Sequence, residues 1–189
     1  VFDNVLVPWE RVFFYNNFEI AGKFLMESSF HHFAKYQVLI RQIVKSEFIL
    51  GIAEILIDTI KVREYQHIHE KLSEIIIGLE TMKALLEKAE NHAILDEWGY
   101  LRPAIFPLKV AGNIFSKLYP RYVEIIQLIG ASGMITLPTE KAFHSDIRAD
   151  LDQYLQAATK TAEDRVKIFR LAWDLTMSSF GTRQMQYER

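Results

Sequence analysis

The stretch from Tyr119 to Thr139, YPRYVEIIQLIGASGMITLPT, decides how the rest of the chain is organised. It begins as a helix with an apolar stripe and then meets two glycines, Gly130 and Gly133, before a proline ends it. A glycine at a helix end supplies the left-handed backbone that stops a helix, and it lets another backbone or a ligand approach closely. Gln127 lies within the apolar run and needs a hydrogen-bond partner if it is buried. The residues alone leave two interpretations open, a helix end followed by a loop or a segment that contacts a nucleotide cofactor.

Composition excludes several classes of protein. The 189 residues are enough for one domain, or for one domain and part of another, and 50% of them are hydrophobic. The net charge of −2, from 22 basic and 24 acidic residues, lacks the basic footprint of a nucleic-acid-binding protein. There is no cysteine, which excludes disulfides and thiolate zinc sites and is compatible with the cytoplasm. No apolar run reaches the roughly 18 residues that a membrane span needs, so we expect neither nucleic acid nor membrane as a partner.

The first residues differ in pattern from the rest of the chain. The apolar residues of Val1–Val7 predict a β-strand, which Pro8 ends. A lone strand has no partner in a helical sequence. We therefore interpret residues 1–15 as the last strand and linker of an upstream β-domain, and residues 16–189 as a separate helical domain.

Apolar residues with a period near 3.6 predict helices through most of the remaining chain. The predicted segments are a short helix from Asn16 or Asn17 to Met26, long helices over Phe30–Ile60, His67–Leu95 and Ala104–Gly130, a short helix or turn over Asp146–Leu155, and a last helix over Thr161–Phe180. Pro120 predicts a kink or break in the third long helix, and Gly181 is expected to end the last one. Four long amphipathic segments joined by short connections predict an all-α fold, an antiparallel four-helix bundle.

Histidines and carboxylates do not form a metal-binding pattern. A di-metal bundle needs two Glu-x-x-His motifs, and the sequence has one, Glu64-Tyr-Gln-His67, at a predicted loop. His31 and His32 are adjacent, and His67 and His69 are two residues apart, so neither pair shares a helix face. Phosphate-binding glycine loops and nucleophile-elbow motifs are absent as well. We predict no metal site and assign no catalytic residue.

A second candidate segment begins at the end of the last predicted helix and continues beyond it. The residues Ser178-Ser179-Phe180-Gly181-Thr182-Arg183-Gln184 combine hydroxyl and amide groups with one fixed positive charge. Arginine suits a phosphate or a flavin carbonyl as a partner. Two interpretations again stay open, a glycine helix cap followed by a solvated tail or a segment that contacts a ligand.

Several separate blocks of the sequence resemble one known family. They are VFDNVLVPWERVF, HEKLSEIIIGLETMKALLEKAE, LDEWGYLRPA, LYPRYVEIIQLIGASGMITLPTE and AEDRVKIFRLAWDLTMSSFGTRQMQYER, and together they cover essentially the whole chain. These blocks resemble the C-terminal region of the 4-hydroxyphenylacetate 3-monooxygenase oxygenase components. More distantly, the spacing Gln127-x-x-Gly130-x-x-Gly133 is similar to the flavin-contacting segment of acyl-CoA dehydrogenases, whose fold this family shares.

The resemblance implies a fold, a cofactor and partners. A subunit of the family has an N-terminal helical domain, a middle β-barrel and a C-terminal bundle that assembles tetramers and covers one side of the flavin. The family uses reduced FAD from a separate NADH-dependent flavin reductase, and it adds one oxygen atom from O₂ ortho to a phenol hydroxyl. The implied protein is a cytoplasmic enzyme that acts on 4-hydroxyphenylacetate or a similar phenol and forms a dimer or tetramer through the bundle. By itself this chain is expected to be inactive, because the family's phenol-binding residues come from upstream regions.

The same resemblance implies which residues contact FAD. Two segments match flavin-contacting positions of the family, and the first of them is expected to reach the flavin of its own or a neighbouring subunit. The residues are Gln127, Gly130, Ala131, Ser132 and Gly133 in the first segment, and Ser179, Phe180, Gly181, Thr182, Arg183 and Gln184 in the second.

Two alternatives stay open. A dehydratase or isomerase of the 4-hydroxybutyryl-CoA type keeps the flavin fold but changes the chemistry. Such relatives hold an iron–sulfur cluster through Cys and His, and this chain has no Cys. The second alternative is a purely structural helical module for oligomerisation, which would bind no ligand.

Overall fold

The computed structural model describes residues 1–189, and nearly every long stretch of it is helical. The α-helices are α1 (Phe18–Glu27), α2 (Phe30–Ile60), α3 (Gln66–Asn91), α4 (Ile105–Gly130), α5 (Arg148–Tyr154), α6 (Ala162–Thr176) and α7 (Ser179–Glu188). Two short strands, β1 (Ile94–Leu95) and β2 (Leu101–Arg102), join α3 to α4, and 3-10 helices cover Trp9–Arg11, Ala131–Met134 and Glu140–His144. The predicted all-α class is confirmed.

The core lies between α2, α3 and α4, which pack extensively against one another. Helix α6 packs on α4 and α2, and α7 packs on α4 and α6, so these two helices together fill the fourth position of the bundle. Short connections link α2 to α3 and α3 to α4, which makes neighbouring helices antiparallel. The largest fully buried side chains are Tyr119, Tyr122, Phe115, Phe169, Leu39, Ile49, Leu56, Ile57, Ile75, Met82, Leu108 and Ile125. The four-helix bundle is confirmed, with its fourth helix divided into two.

The connection between α3 and α4 is a tight hairpin. Helix α3 ends at Asn91, before the predicted end at Leu95, because Leu95 belongs to the antiparallel β1–β2 ladder. The Asp96 carboxylate accepts hydrogen bonds from the main-chain N–H groups of Trp98 (3.0 Å) and Tyr100 (2.8 Å), which fixes the turn. The turn was predicted correctly, and the helix end was not.

Helix α4 is continuous although it contains Pro120. Proline removes one hydrogen bond of a helix, which is why the sequence predicts a kink or break near Leu118. Tyr119 and Tyr122 are fully buried on either side of the proline, and their packing in the core outweighs the lost bond. No break occurs there.

The last predicted helix is two helices in the structure. Helix α6 ends at Thr176, and Ser178 caps α7 by accepting a hydrogen bond of 3.0 Å from the Gly181 N–H. Gly181 is buried against α6, where a Cβ atom would come within 2.5 Å of the Leu175 carbonyl oxygen. The prediction that Gly181 ends the last helix is wrong, because this glycine allows close packing at the start of a new helix.

The predicted strand over Val1–Val7 is not formed. The apolar side chains of this segment, Phe2 and Leu6 among them, are exposed. A strand forms only where a second strand exchanges main-chain hydrogen bonds with it, and no segment of the chain does so here. The assignment of residues 1–15 to a separate β-domain stays a prediction.

Helix α1 begins where the sequence places it. The Asn17 side chain accepts a hydrogen bond of 3.0 Å from the Ile20 N–H, so the predicted cap is confirmed. None of the helices combines the length and the apolar character that a membrane span requires.

Candidate functional site

The first candidate segment begins with Gln127, near the end of α4. Its side-chain amide donates a hydrogen bond of 3.1 Å to the main-chain carbonyl of Thr176, at the end of α6. The same side chain lines an open groove together with Met177, Thr182 and Arg189. The structure therefore brings Gln127 next to the second candidate segment.

Gly130 lies at the end of α4 but does not supply the left-handed backbone expected of it. Its φ and ψ are −72° and −27°, an ordinary helical conformation, and the positive φ of 44° belongs to Ala131. Gly130 instead allows close packing, since a Cβ atom there would collide with the buried Met134 side chain. Ala131 and Ser132 are exposed. The expectation for Gly130 is wrong, and the strained conformation falls on a residue that carries a side chain.

Gly133 packs against α6. A Cβ atom at this position would come within 2.6 Å of the Phe169 ring and 3.2 Å of the Arg165 guanidinium. Phe169 is buried, the guanidinium lies 4.9 Å from the centre of its ring, and burial lowers the pKa of Arg165. Phe169 precedes Thr176 by about two helical turns, or about 10 Å along α6. Gly133 is therefore remote from the groove at Gln127.

The second candidate segment forms α7, and its residues divide between two faces. Gly181 is buried and Gln184 is half-buried, whereas Ser179, Phe180, Thr182 and Arg183 are exposed. The Arg183 guanidinium donates a hydrogen bond of 3.2 Å to the main-chain carbonyl of Ser179, within the same helix. Helix α7 therefore presents an aromatic ring and a cation outward.

A buried charge cluster beneath α7 is missing from the sequence-based predictions. The Glu188 side chain is 1% exposed and accepts hydrogen bonds from Arg41 and, at 2.5 Å, from Lys45 of α2. Lys45 also donates a hydrogen bond of 2.9 Å to the Gln184 side chain. Burial alone would raise the pKa of the Glu188 carboxyl, but the hydrogen bonds from Arg41 and Lys45 hold that pKa below its usual value. The hydrogen bond from Arg41 to Glu188 also raises the pKa of Arg41.

Two features of the sequence point to this cluster. Arg41 and Lys45 are four residues apart and share one face of an otherwise apolar helix. Gly181, Gln184 and Glu188 likewise share one face of α7. Partly buried cations favour a carboxylate partner, but the sequence does not say which of its 24 acidic residues supplies it.

Residues 1–189 contain no group of three or more His, Cys, Asp and Glu side chains that could hold a metal ion. Of the Glu-x-x-His match, Glu64 lies in the turn before α3 and His67 in the first turn of that helix.

One protein family matches nearly the whole chain. The family model described as "HpaB: 4-hydroxyphenylacetate 3-hydroxylase C terminal" covers residues 21–189. The chain belongs to this family. The resemblance of the sequence blocks to the oxygenase components is confirmed.

Curated HpaB relatives are similar over the full chain. The chain is 69% identical to the "Probable 4-hydroxyphenylacetate 3-monooxygenase" of Bacillus subtilis, over 100% of the chain and 39% of that protein. It is 45% identical to the 4-hydroxyphenylacetate 3-monooxygenase oxygenase component of a Geobacillus strain, over 99% of the chain and 38% of that protein. The chain thus spans about two fifths of the length of these relatives.

Solved structures agree with the fold. An HpaB oxygenase component of 4-hydroxyphenylacetate 3-monooxygenase, complexed with FAD and 4-hydroxyphenylacetate, matches 100% of this chain with 40% of its own length, at 43% identity and a TM-score of 0.92. An archaeal 4-hydroxybutyryl-CoA dehydratase matches 100% of the chain with 37% of its own, at 20% identity and a TM-score of 0.87. The second likeness shows a shared fold and carries no information about chemistry.

Proposed function

We propose that this chain is the C-terminal, flavin-covering and oligomerisation domain of a monooxygenase that hydroxylates 4-hydroxyphenylacetate, or a similar phenol, ortho to its hydroxyl. The enzyme uses reduced FAD from a separate NADH-dependent flavin reductase and works in the cytoplasm. The observation that carries the proposal is the agreement of the whole chain, at a TM-score of 0.92, with an oxygenase component complexed with FAD and 4-hydroxyphenylacetate.

The outer face of α7 supports a flavin-contacting role. The Arg183 guanidinium keeps free donors, since its hydrogen bond to the Ser179 carbonyl uses one of five. Phe180 is 48% exposed, and Thr182 opens on the groove that Gln127 also lines. Such a surface offers an apolar contact for a ring system and donors for its carbonyls or phosphates. The residues of α7 therefore fit the cofactor.

The two glycines fit the cofactor less well. A buried side chain of the core fills the space beside each of Gly130 and Gly133. Gly130 lets the loop fold onto Met134, and Gly133 lets it lie close to α6. The exposed residues between them, Ala131 and Ser132, are the ones free to face a ligand. We propose that these two residues make the contacts with FAD in the first segment.

Bound FAD supplies the redox chemistry by which O₂ is activated for transfer to the phenol. In this proposal the residues of this chain bind and orient the FAD. Arg183 provides a fixed positive charge for an anionic group, and α7 keeps water away from one side of the site. We assign no catalytic residue to this chain.

The outer surface of α2 supports self-association. Val44, Phe48 and Ile55 are exposed on this helix. Gly51, on the same surface, has no atom within 4 Å of the place where a Cβ would lie. A helix with more than one apolar face is usually buried, and an exposed apolar patch marks an interaction surface. We propose that these residues pack against a second copy in a dimer or tetramer.

The activity is tested on the full gene product with a flavin reductase, NADH, FAD and 4-hydroxyphenylacetate. We expect the catechol product, measured by chromatography, from the full gene product and none from residues 1–189 alone. Catechol formation by residues 1–189 would contradict the assignment of a domain without catalytic residues. Iron bound to the full gene product would instead favour the dehydratase alternative.

Arg183→Ala tests the flavin contact. Loss of a charge-assisted hydrogen bond is expected to raise the FAD dissociation constant of the full gene product about tenfold. Arg63→Ala, at an exposed arginine in the connection between α2 and α3, is the matched control and should leave the constant unchanged. Unchanged affinity in Arg183→Ala would favour the purely structural module. Gly130→Val cannot serve here, because the new side chain collides with Met134.

A further inference from the structure

Helix α7 depends on tertiary contacts for its position. Its first turn is held by the Ser178 cap and by the close approach of Gly181 to α6. Farther along the helix, Glu188 provides a second attachment.

Glu188 fastens α7 to α2. Its buried carboxylate lies between Arg41 and Lys45, which reach it from a helix that precedes it by more than 100 residues in the chain. One carboxylate between two cations is strongly favoured in its ionised form, and its removal leaves both cations without an anion.

Neighbouring side chains of α7 take part in the same attachment. Gln184 accepts a hydrogen bond of 2.9 Å from Lys45, and the Arg41 guanidinium lies 5.1 Å from the centre of the Tyr187 ring. Lys45 also lies 5.1 Å from the centre of the buried Tyr119 ring of α4. These contacts place the inner face of α7 in one register on the bundle.

The outer face of α7 has no comparable support. Phe180 is half exposed, and Arg183 is bonded to its own helix. Arg183 precedes Glu188 by about 7 Å along the helix. The direction in which Phe180 and Arg183 point is therefore set by the attachment of the helix as a whole.

We propose that Glu188 is a positioning residue, which holds α7 through Arg41 and Lys45 so that Phe180 and Arg183 face FAD. This role rests on the proposed function. The Glu188 side chain is buried beneath α7, so in this proposal it acts through the helix that it fastens.

Glu188→Gln in the full gene product tests the proposal by amide hydrogen exchange. The substitution keeps the shape of the side chain and removes its charge. We expect exchange in residues 181–188 to become about tenfold faster, because the opening of α7 then breaks no ion pair with α2. Glu47→Gln is the matched control on α2, since Glu47 pairs with Lys83 at 3.0 Å and is 48% exposed. It should leave exchange in α7 unchanged.

Flavin binding provides the second readout. In Glu188→Gln we expect the FAD dissociation constant to rise about tenfold, and the visible absorption spectrum at saturating FAD to move toward that of free flavin. Glu188→Asp keeps the charge and should restore part of the FAD affinity and part of the spectrum of the bound flavin. A residue that served only the stability of the fold would leave the spectrum of the folded, saturated protein unchanged. If Glu188→Gln does not fold, Arg41→Gln, which leaves the Lys45–Glu188 pair, should show the same changes to a smaller extent.

The outcomes separate the two proposals. Unchanged exchange in α7 overturns the positioning role of Glu188. The positioning role is also overturned if Glu188→Gln speeds exchange in α7 but leaves the FAD affinity unchanged, while Arg183→Ala lowers that affinity. Unchanged FAD affinity in both Glu188→Gln and Arg183→Ala overturns the flavin-contacting role of α7 itself.

Discussion

The side-chain amide of Gln127 and the main-chain carbonyl of Thr176 form a hydrogen bond of 3.1 Å that joins the end of α4 to the end of α6. Carbonyls at the end of a helix have no partner within the helix, so this bond satisfies one of them. It also fixes one wall of the groove that Gln127 and Thr182 share. A polar residue inside an apolar run thus has a structural partner as well as a place at the candidate site.

Gln127→Leu is expected to lower the free energy of unfolding by about 1 kcal/mol, because the Thr176 carbonyl loses its partner. Urea denaturation followed by the helical circular dichroism signal measures the change. Gln153→Leu, at an exposed glutamine of α5, is the control and should change stability by less than about 0.5 kcal/mol. Equal losses in the two variants would show that the bond to Thr176 does not contribute.

Gly133→Ala is expected to destabilise the bundle by about 1–3 kcal/mol through overpacking. The new methyl group would lie 2.6 Å from the ring of Phe169, which is buried in the core, so the packing there must shift. The midpoint of urea denaturation should fall accordingly.

Gly112→Ala is the matched comparison for Gly133→Ala. Gly112 lies inside α4, and no atom is within 4 Å of the place where its Cβ would lie. Alanine is the better helix former, so this variant should be more stable than the natural chain by about 0.5–1 kcal/mol. A loss of stability in both variants would mean that the space around each glycine does not decide the outcome.

The long helices could be predicted because each buries a continuous apolar face. Ile75, Leu79 and Met82 of α3, for example, recur at helical spacing and are all buried. Helix ends were harder to predict where contacts from elsewhere decide them. Leu95 pairs in a hairpin ladder, and Gly181 follows a serine cap, and neither contact follows from the period of the apolar residues.

The candidate site could be predicted only in part for the same reason. Gln127 and Arg183 stand out as polar residues beside apolar helix ends. The partners of Glu188 are 147 and 143 residues away in the chain, so no local pattern connects them to α7. A local sequence pattern can therefore indicate the residues at the surface of the site, but it does not indicate the buried residue that fixes their helix in place.

Alkaline pH is expected to destabilise the fold through Tyr122. Burial raises the pKa of the Tyr122 hydroxyl to about 12, above the ordinary value of about 10. A raised pKa means that folding favours the neutral phenol, so this contribution is complete below about pH 10 and is lost as pH rises toward 12. The free energy of unfolding should fall less steeply over this range in Tyr122→Phe than in the natural chain. Equal slopes would show that Tyr122 ionises as easily in the folded chain as in the unfolded one.

Acid is expected to remove the stabilisation that Glu188 provides. At neutral pH, Glu188→Gln should lower the free energy of unfolding by about 1–3 kcal/mol, because the partly exposed cations Arg41 and Lys45 lose their buried anion. The groups that face the carboxylate are Arg41 and Lys45, and the rings of Tyr187 and Tyr119 lie beside these two cations.

The sign of the pH dependence follows from the lowered pKa of Glu188. A carboxyl whose pKa is depressed on folding stabilises fully above its unfolded value of about 4.3 and loses that contribution as pH falls through the lower, folded value. The difference in the free energy of unfolding between the natural chain and Glu188→Gln should therefore be constant near neutrality and shrink below about pH 4. Urea denaturation at several pH values measures it. Glu47→Gln, at an exposed pair, should cost at most about 1 kcal/mol at neutral pH. A Glu188→Gln deficit that persists undiminished in acid would mean that the shape of the side chain, and not its charge, fastens α7 to α2.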